Sequence, residues 1–260
     1  FHGYVSIENN AIIGNLTLIP LRKKEPGAYF IANVAVHPDH RGQGIGRMLT
    51  ERAIQHVKEH NGSNVYLQVR EDNDVAVNIY RGLGFVEMSR RTMWAYRPGS
   101  QTRKNSPPRV MVTGREKADW PQQKQWLEAL YPREISWNLP YHVDKFEPSL
   151  TNWLTRLVNG EILRTWAVRK NLKLLGTVTL DHTSETYDYL WVASSILWED
   201  EVIQAALPMI FRRNLLARRL AVNYPAGRAR ESFQMVGMQE VNTLIWMKYK
   251  IHPENEMVRI

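Results

Sequence analysis

The chain has 260 residues, 43% of them hydrophobic, no cysteine and a formal net charge of +8. That length accommodates one large domain or two ordinary ones with proper cores, and the absence of cysteine excludes disulfides, thiolate zinc sites and thiol nucleophiles. No apolar run approaches about 18 residues, so neither a disordered chain nor a membrane-spanning helix is expected, and a reducing cytoplasmic setting fits the composition.

Residues 4–18 read as a hairpin, two β-favouring apolar runs around a polar turn at Glu8–Asn10. A β-rich run from Tyr29 to Val36 stops at Pro38. A glycine-spaced turn, Arg41-Gly42-Gln43-Gly44-Ile45-Gly46, then leads into a helix whose buried stripe is Ile45, Met48, Leu49, Ala53 and Val57. Leu67–Arg70 reads as a strand and Val75–Leu83 as a helix, followed by Gly84-Phe85. Arg97–Arg109 carries 4 basic residues and no acid among prolines, glycine and serines, the composition of a linker. Beyond it come a strand at Arg109–Thr113, helices near Trp120–Leu130 and Leu150–Val158, and a second hairpin over 166–180 turning at Arg169–Asn171.

The charge is uneven. Residues 1–96 hold 11 Lys/Arg against 9 Asp/Glu and residues 110–260 hold 19 against 17, so half the positive excess sits in the linker. A phosphate-tracking face would spread over a folded surface, and no nucleic-acid partner is expected.

The two hairpins align at an offset of 162, matching Asn9 with Asn171, Gly14 with Gly176, Thr17 with Thr179 and Leu18 with Leu180. Val34-Ala35-Val36 answers Val192-Ala193-Ser194 at offset 158, and Gly84-Phe85 answers Gly237-Met238 at offset 153. Two copies of one α/β unit are therefore expected, over 1–96 and 110–260, joined by the linker 97–109. The second copy has about 55 residues ahead of its hairpin that the first lacks, and the repeat predicts a comparable stretch before Phe1 in a longer natural chain.

Glycines at 42, 44 and 46 would leave main-chain N–H groups unshielded at a helix N-terminus, where unpaired donors and the positive dipole end attract phosphate. Arg41 adds a fixed cation. The pattern is not the Gly-x-Gly-x-x-Gly of dinucleotide folds, and without a following Gly-Lys-Ser/Thr it is not a Walker P-loop. A purely structural glycine turn is the remaining alternative.

This run resembles motif A of the GNAT N-acetyltransferase superfamily, Gln/Arg-x-x-Gly-x-Gly/Ala, through Arg41, Gly44 and Gly46 after Val36-His37-Pro38. Asn73, Ala76, Tyr80 and Gly84-Phe85 resemble its second coenzyme A segment. The resemblance implies two mixed, mostly antiparallel sheets flanked by helices, the first without its N-terminal strand and helices in this chain. It implies acetyl transfer from acetyl-CoA to a primary amine of a small molecule or peptide, in a ternary complex and without metal. Val34, Ala35 and Val36 would meet the pantetheine arm near a strand bulge. Arg41, Gly42, Gln43, Gly44, Ile45, Gly46 and Arg47 would hold the pyrophosphate, Asn73 would bond the pantetheine, and Tyr80 would aim its hydroxyl at the sulfur. A phenol near pKa 10 is a competent donor to a thiolate whose conjugate acid lies near 8.5.

The base stays open. The similar protein N-terminal acetyltransferases read Leu-Glu-Val-Arg where this chain has Leu67-Gln68-Val69-Arg70, and Glu71, Asp72 and His37 are expected as solvated loop residues. His56-Val57-Lys58-Glu59-His60 has a zinc-protease spacing, but on final helical turns expected to face solvent and without a third ligand, so no metal is expected. Arg90-Arg91 reads as surface charge, or as steering for an acidic substrate. Eight of nine tryptophans (120, 126, 137, 153, 166, 191, 198 and 246) fall in the second copy, as core or as an aromatic pocket. That copy reads Ser194–Glu201 where motif A belongs, without glycine and with three carboxylates, and Phe233 where Tyr80 belongs. The alternative to an enzyme is a noncatalytic acyl-CoA sensor or scaffold; the oligomeric state and the acceptor are not readable.

Overall fold

The computed structural model describes residues 2–21, 25–97, 99, 109–182, 186–213 and 218–251. Most of the expected linker, residues 98 and 100–108, lies outside them. Along the chain run β1 (His2–Glu8), β2 (Ala11–Pro20), β3 (Ala28–Val36), α1 (Ile45–Glu59), β4 (Asn64–Arg70), α2 (Asp74–Gly82), β5 (Val86–Tyr96), β6 (Met111–Gly114) and α3 (Trp120–Leu130). There follow α4 (Arg133–Ser136), α5 (Leu150–Asn159), β7 (Leu163–Lys170), β8 (Lys173–Asp181), β9 (Asp188–Ser194), α6 (Glu199–Arg212), β10 (Leu220–Pro225), α7 (Arg230–Met235) and β11 (Gln239–Lys250). The expected mixed, mostly antiparallel architecture is present.

Two compact units form, and their bounds differ from the sequence division. Unit 1 takes the chain up to Arg90 together with residues from Thr243 onward, and unit 2 takes Arg91–Asn242. In unit 1, β1, β2 and β3 run antiparallel, β3 and β4 parallel, and residues 244–250 of β11 close the sheet antiparallel on β4. In unit 2, β6 to β9 run antiparallel in order, β9 and β10 pair parallel, and residues 91–96 of β5 close the sheet on β10. By the repeat, β11 is the counterpart of β5. The chain has exchanged its two closing strands, which is why a division drawn between repeats at residue 97 fails.

Both hairpins use two-residue turns with positive φ at Asn9 and Asn10 and at Asn171 and Leu172, the twist that tight hairpins favour. The second turn sits one residue later than the sequence suggested. The matched glycines have one cause: a Cβ at Gly14 would lie 2.8 Å from the Ile45 side chain, and one at Gly176 would lie 2.8 Å from Val202. Each permits a strand to approach the first turn or two of the helix that follows the third strand of its hairpin sheet.

The unit 1 core joins Leu16, Leu18 and Ile31 to Leu49, Ala53 and Val57 of α1, Val65 and Leu67 of β4, and Ile245 and Met247 of β11. Met48, expected in the α1 stripe, is 50% exposed. The buried row is 45, 49, 53 and 57, flanked by Thr50 and Ile54, so the face turns away from Met48. The unit 2 core is built around Trp191, Val192, Leu207, Val222 and Phe233, with Trp94 supplied by β5. Trp191 and Trp246 are core, whereas Trp153 is exposed.

Met247 is fully buried in unit 1. Met247→Ala should cost unit 1 about 2–5 kcal/mol, read as an earlier denaturant transition for β1–β4 amides by hydrogen exchange, although the substitution lies far along the chain from them.

Candidate functional site

The sheet of unit 1 opens where the sequence places its chemistry. β3 pairs with β4 only through Ala28–Ile31 against Asn64–Leu67. On its other edge the register with β2 slips between Asn15 and Thr17, so that Asn33 and Val34 together face Leu16 in a β-bulge. Asn33 holds φ at 52°, and its carbonyl accepts a 2.7 Å hydrogen bond from the Asn15 side chain. Asparagine is among the few residues that adopt this conformation at small cost, so Asn33 was a legible signal that the sequence analysis missed. Past the bulge, Val34 and Val36 pack on the unit 1 core while Ala35 is exposed. Their main-chain edge toward β4 has no strand partner.

The chain then makes a short 3-10 turn over Pro38–His40 and enters the glycine loop. Arg41 to Gly44 are exposed; Gly42 and Gly44 hold φ at 78° and 79°, and a Cβ at either would point into open space. Gly44 is the N-cap of α1, with no side chain capping it, and the first amide bonded inside the helix is that of Met48, 3.0 Å from the Gly44 carbonyl. The amides of Ile45, Gly46 and Arg47 are therefore the unpaired donors of a helix start, at the positive end of its dipole. Arg41 reaches back to the Val36 carbonyl at 3.4 Å, and Arg47 pairs with Glu51 at 2.9 Å, both in solvent.

α2 lies beside this loop: the Arg47 guanidinium comes within 3.7 Å of the position a Cβ on Gly82 would occupy. Asn73 caps α2, its side chain accepting from the Ala76 amide at 3.2 Å, so one of its two polar atoms already has a structural task. Tyr80 is 7% exposed, on the core face of α2, with its ring edge-on to Phe85 at 5.8 Å between centroids. Among the described residues nothing bonds its hydroxyl, and burial alone holds the phenol above its ordinary pKa. Gln68 is half-buried opposite Trp246 of β11.

The expected solvated carboxylates are partnered. Asp72 pairs with Arg70 at 2.7 Å, which holds its carboxyl below the usual range, and Glu71 pairs with Arg90. Arg91, expected at the surface beside Arg90, is instead 2% exposed in unit 2. His56, expected to face solvent, is buried: its Nδ1 lies 2.6 Å from the Tyr4 hydroxyl, its ring stacks on His60 at 4.0 Å, and His2 is 4.4 Å away. Among the described residues no group of side chains is arranged to hold a metal ion.

Unit 2 treats the same positions differently. β8 and β9 pair without a bulge from Gly176–Ser194 to Asp181–Tyr189. Where phosphate would meet a helix start, α6 presents Glu199, bonded by the Tyr224 hydroxyl at 2.9 Å and by Arg228. Phe233 is fully buried, stacked on Trp94 at 5.2 Å. The Arg91 guanidinium donates to the Leu130 carbonyl at 2.9 Å and to the Asn223 carbonyl at 3.0 Å, and lies 4.9 Å over the Tyr131 ring. Burial lowers the Arg91 pKa to about 10 and pushes Tyr131 up to about 12.

Residues 2–85 match the model of the Acetyltransferase (GNAT) family. Over that segment the chain is similar to GNAT acetyltransferases. It is 34% identical over 80 residues to N-alpha-acetyltransferase RimI of Mycobacterium tuberculosis, spanning 31% of this chain and 49% of that protein. It is 39% identical over 59 residues to the ribosomal protein bS18-alanine N-acetyltransferase of Escherichia coli, spanning 23% of this chain and 40% of that protein. The chain thus spans half or less of the curated relatives it matches. A GCN5-related N-acetyltransferase from Sphaerobacter thermophilus shares the fold with a TM-score of 0.58 at 14% identity, over 94% of this chain and 79% of that one. The matched GNAT segment contains the bulge, the glycine loop and Tyr80, all within unit 1. No helix among the described residues is long and apolar enough to cross a membrane.

Burial, then the neighbouring His60, His2 and Arg52, lowers the His56 pKa, with Glu59 opposing. Unfolding therefore takes up a proton below the ordinary histidine pKa of about 6.5, and the stability of unit 1 should be complete above that pH and fall as the pH drops below it. Thermal unfolding from pH 8 to 5 should show the loss, and His56→Gln should flatten it; a His56→Gln profile parallel to wild type would place the proton elsewhere.

Proposed function

We infer that unit 1 transfers an acetyl group from acetyl-CoA to a primary amine of a small molecule or peptide, with both substrates bound together. The observation that carries this is the exposed start of α1, uncapped and approached through left-handed glycines, beside a parted strand edge. The residues suit a pyrophosphate: the loop from Arg41 to Arg47 contains no carboxylate, no side chain caps the start of α1, and its two cations stand at either end.

Acetyl-CoA would supply the activated thioester. Arg41 to Arg47 would hold its phosphates, and the unpaired edge of β3 at Val34–Val36 would align the arm, with main-chain N–H as the natural donor to an oxyanion. The Asn73 side-chain amide, with its oxygen committed to the α2 cap, could still donate. Tyr80 would meet the departing sulfur. Full proton transfer from a phenol at 10 to a thiolate at 8.5 is uphill by about 2 kcal/mol, and burial raises that further. The Tyr80 hydroxyl would therefore act as a hydrogen-bond donor to the developing thiolate and keep its proton, and the leaving thiolate would take the proton that the attacking amine sheds, carried through water.

The two carboxylates that directly follow β4, Glu71 and Asp72, are held by arginines, and Gln68 cannot accept a proton. The amine would arrive neutral or lose its proton through water. The Escherichia coli relative is named for acetylating a ribosomal-protein alanine, and a protein N-terminus, whose amine has an ordinary pKa near 8, is suited to such a base-free site.

Thiol release from acetyl-CoA over a panel of amines and peptides tests the activity. Tyr80→Phe should keep coenzyme A affinity and lower turnover by about 10–1000-fold, while Arg41→Glu should weaken binding. Because the phenol stays protonated, the rate should rise with pH through the amine's pKa and show no Tyr80-dependent decline below about pH 10. Calorimetry should count one coenzyme A per chain, with unit 2 contributing none. Binding without thiol release from any amine would favour a noncatalytic acyl-CoA sensor.

A further inference from the structure

We propose that α5 is the interface of a twofold homodimer. The helix is inside out. Its inward positions are polar: the Asn152 side chain donates to the Asp144 carbonyl at 2.6 Å and to the Glu147 carbonyl at 3.2 Å, and Arg156 donates to the Lys145 carbonyl at 3.2 Å. Its outward positions are apolar, Leu150, Trp153, Leu154, Leu157 and Val158, at spacings of three, one, three and one, with exposures from 53% to 84%. No residue of α5 is buried. Ile162, 45% exposed, continues the patch.

Six large side chains this exposed offer several hundred Å² of apolar surface per copy, more than monomers ordinarily leave uncovered and close to the roughly 800 Å² per partner of a specific interface. The patch carries no charge. The flanking Thr151, Thr155 and Asn159 are neutral, and the one cation of the helix is tied inward, so the basic rim that draws amphipathic helices to anionic lipid is missing. Such a surface suits an equally apolar, uncharged one, and a second copy supplies it. Antiparallel packing across a twofold axis near Leu154 sets Leu150 of one copy against Val158 of the other and brings both Trp153 rings to the centre, where hot-spot residues concentrate.

Sedimentation of the full chain at micromolar concentration should show a dimer. Leu157→Glu, at an exposed position, should weaken it at least about tenfold while leaving the far-ultraviolet circular dichroism of the folded chain unchanged. Because the chain has no cysteine, Leu154→Cys should give a disulfide-linked dimer on mild oxidation, and Ile196→Cys, 65% exposed elsewhere in unit 2, should not. A wild type that stays monomeric, a dimer indifferent to Leu157→Glu, or a Leu154→Cys chain that fails to cross-link overturns the proposal. Binding of the monomer to vesicles of phosphatidylcholine and phosphatidylglycerol, lost in Leu157→Glu, would assign the face to membrane instead and overturn it equally.

Discussion

The parting of β3 from β4 after Ile31 governs what unit 1 can do. A parallel pair held along its full length satisfies both edges with each other and leaves nothing for a ligand. Here the bulge at Asn33–Val34 bends β3 away after four residues, and the main-chain groups of the next stretch must find partners elsewhere. The same bend delivers the chain to Pro38 and the glycine loop, so that an unpaired strand edge and an unpaired helix start come from one local distortion. An extended ligand with phosphate at one end and amides along its arm matches that pair of needs.

Unit 2 meets the same two needs with its own side chains. Glu199 supplies the negative charge at the start of α6 and is itself held by Arg228 and Tyr224, so a phosphate would face a carboxylate rather than bare amides. Arg91 is buried with no carboxylate in contact among the described residues, and it is held there by donating to two carbonyls and the Asn223 side chain over the Tyr131 face. Those bonds fix Arg91 in the interior over the Tyr131 ring. The sequence marks of this change, three carboxylates for glycines and Phe233 for Tyr80, were visible; the residues that complete it were not. Arg91 comes from β5 and Tyr131 from the end of α3, and nothing in their local sequence says they will meet.

What was legible followed from local rules. The hairpins, β3, α1, α2, α3 and α5 lie within a residue or two of their predicted places because periodicity and turn residues act over short distances. The side of a helix that is buried depends on what it packs against, and there the pattern misled at Met48 and His56. A histidine four residues from another reads as solvated or metal-binding; the structure buries it because Tyr4, on a strand fifty-two residues earlier, offers its hydroxyl to the ring. The exchange of β5 and β11 was illegible for a sharper reason. The two strands are counterparts in the repeat, and nothing in the local sequence of either says which sheet it will close.

That exchange changes what the degenerate copy is for. β4 carries one wall of the parted edge in unit 1, and its other edge is held by residues 244–250, which the chain reaches only after completing unit 2. Ile245 and Met247 enter the same core as Leu49, Val77 and Tyr80, so the helix bearing the glycine loop and the helix bearing the phenol both rest partly on that strand. The second repeat is thus still needed by unit 1, because it carries the strand that completes the unit 1 sheet. Its own sheet is likewise closed by Arg91–Tyr96, with Trp94 in its core. Each unit is finished by a strand belonging to the other repeat, so the sheet of each depends on the folding of both.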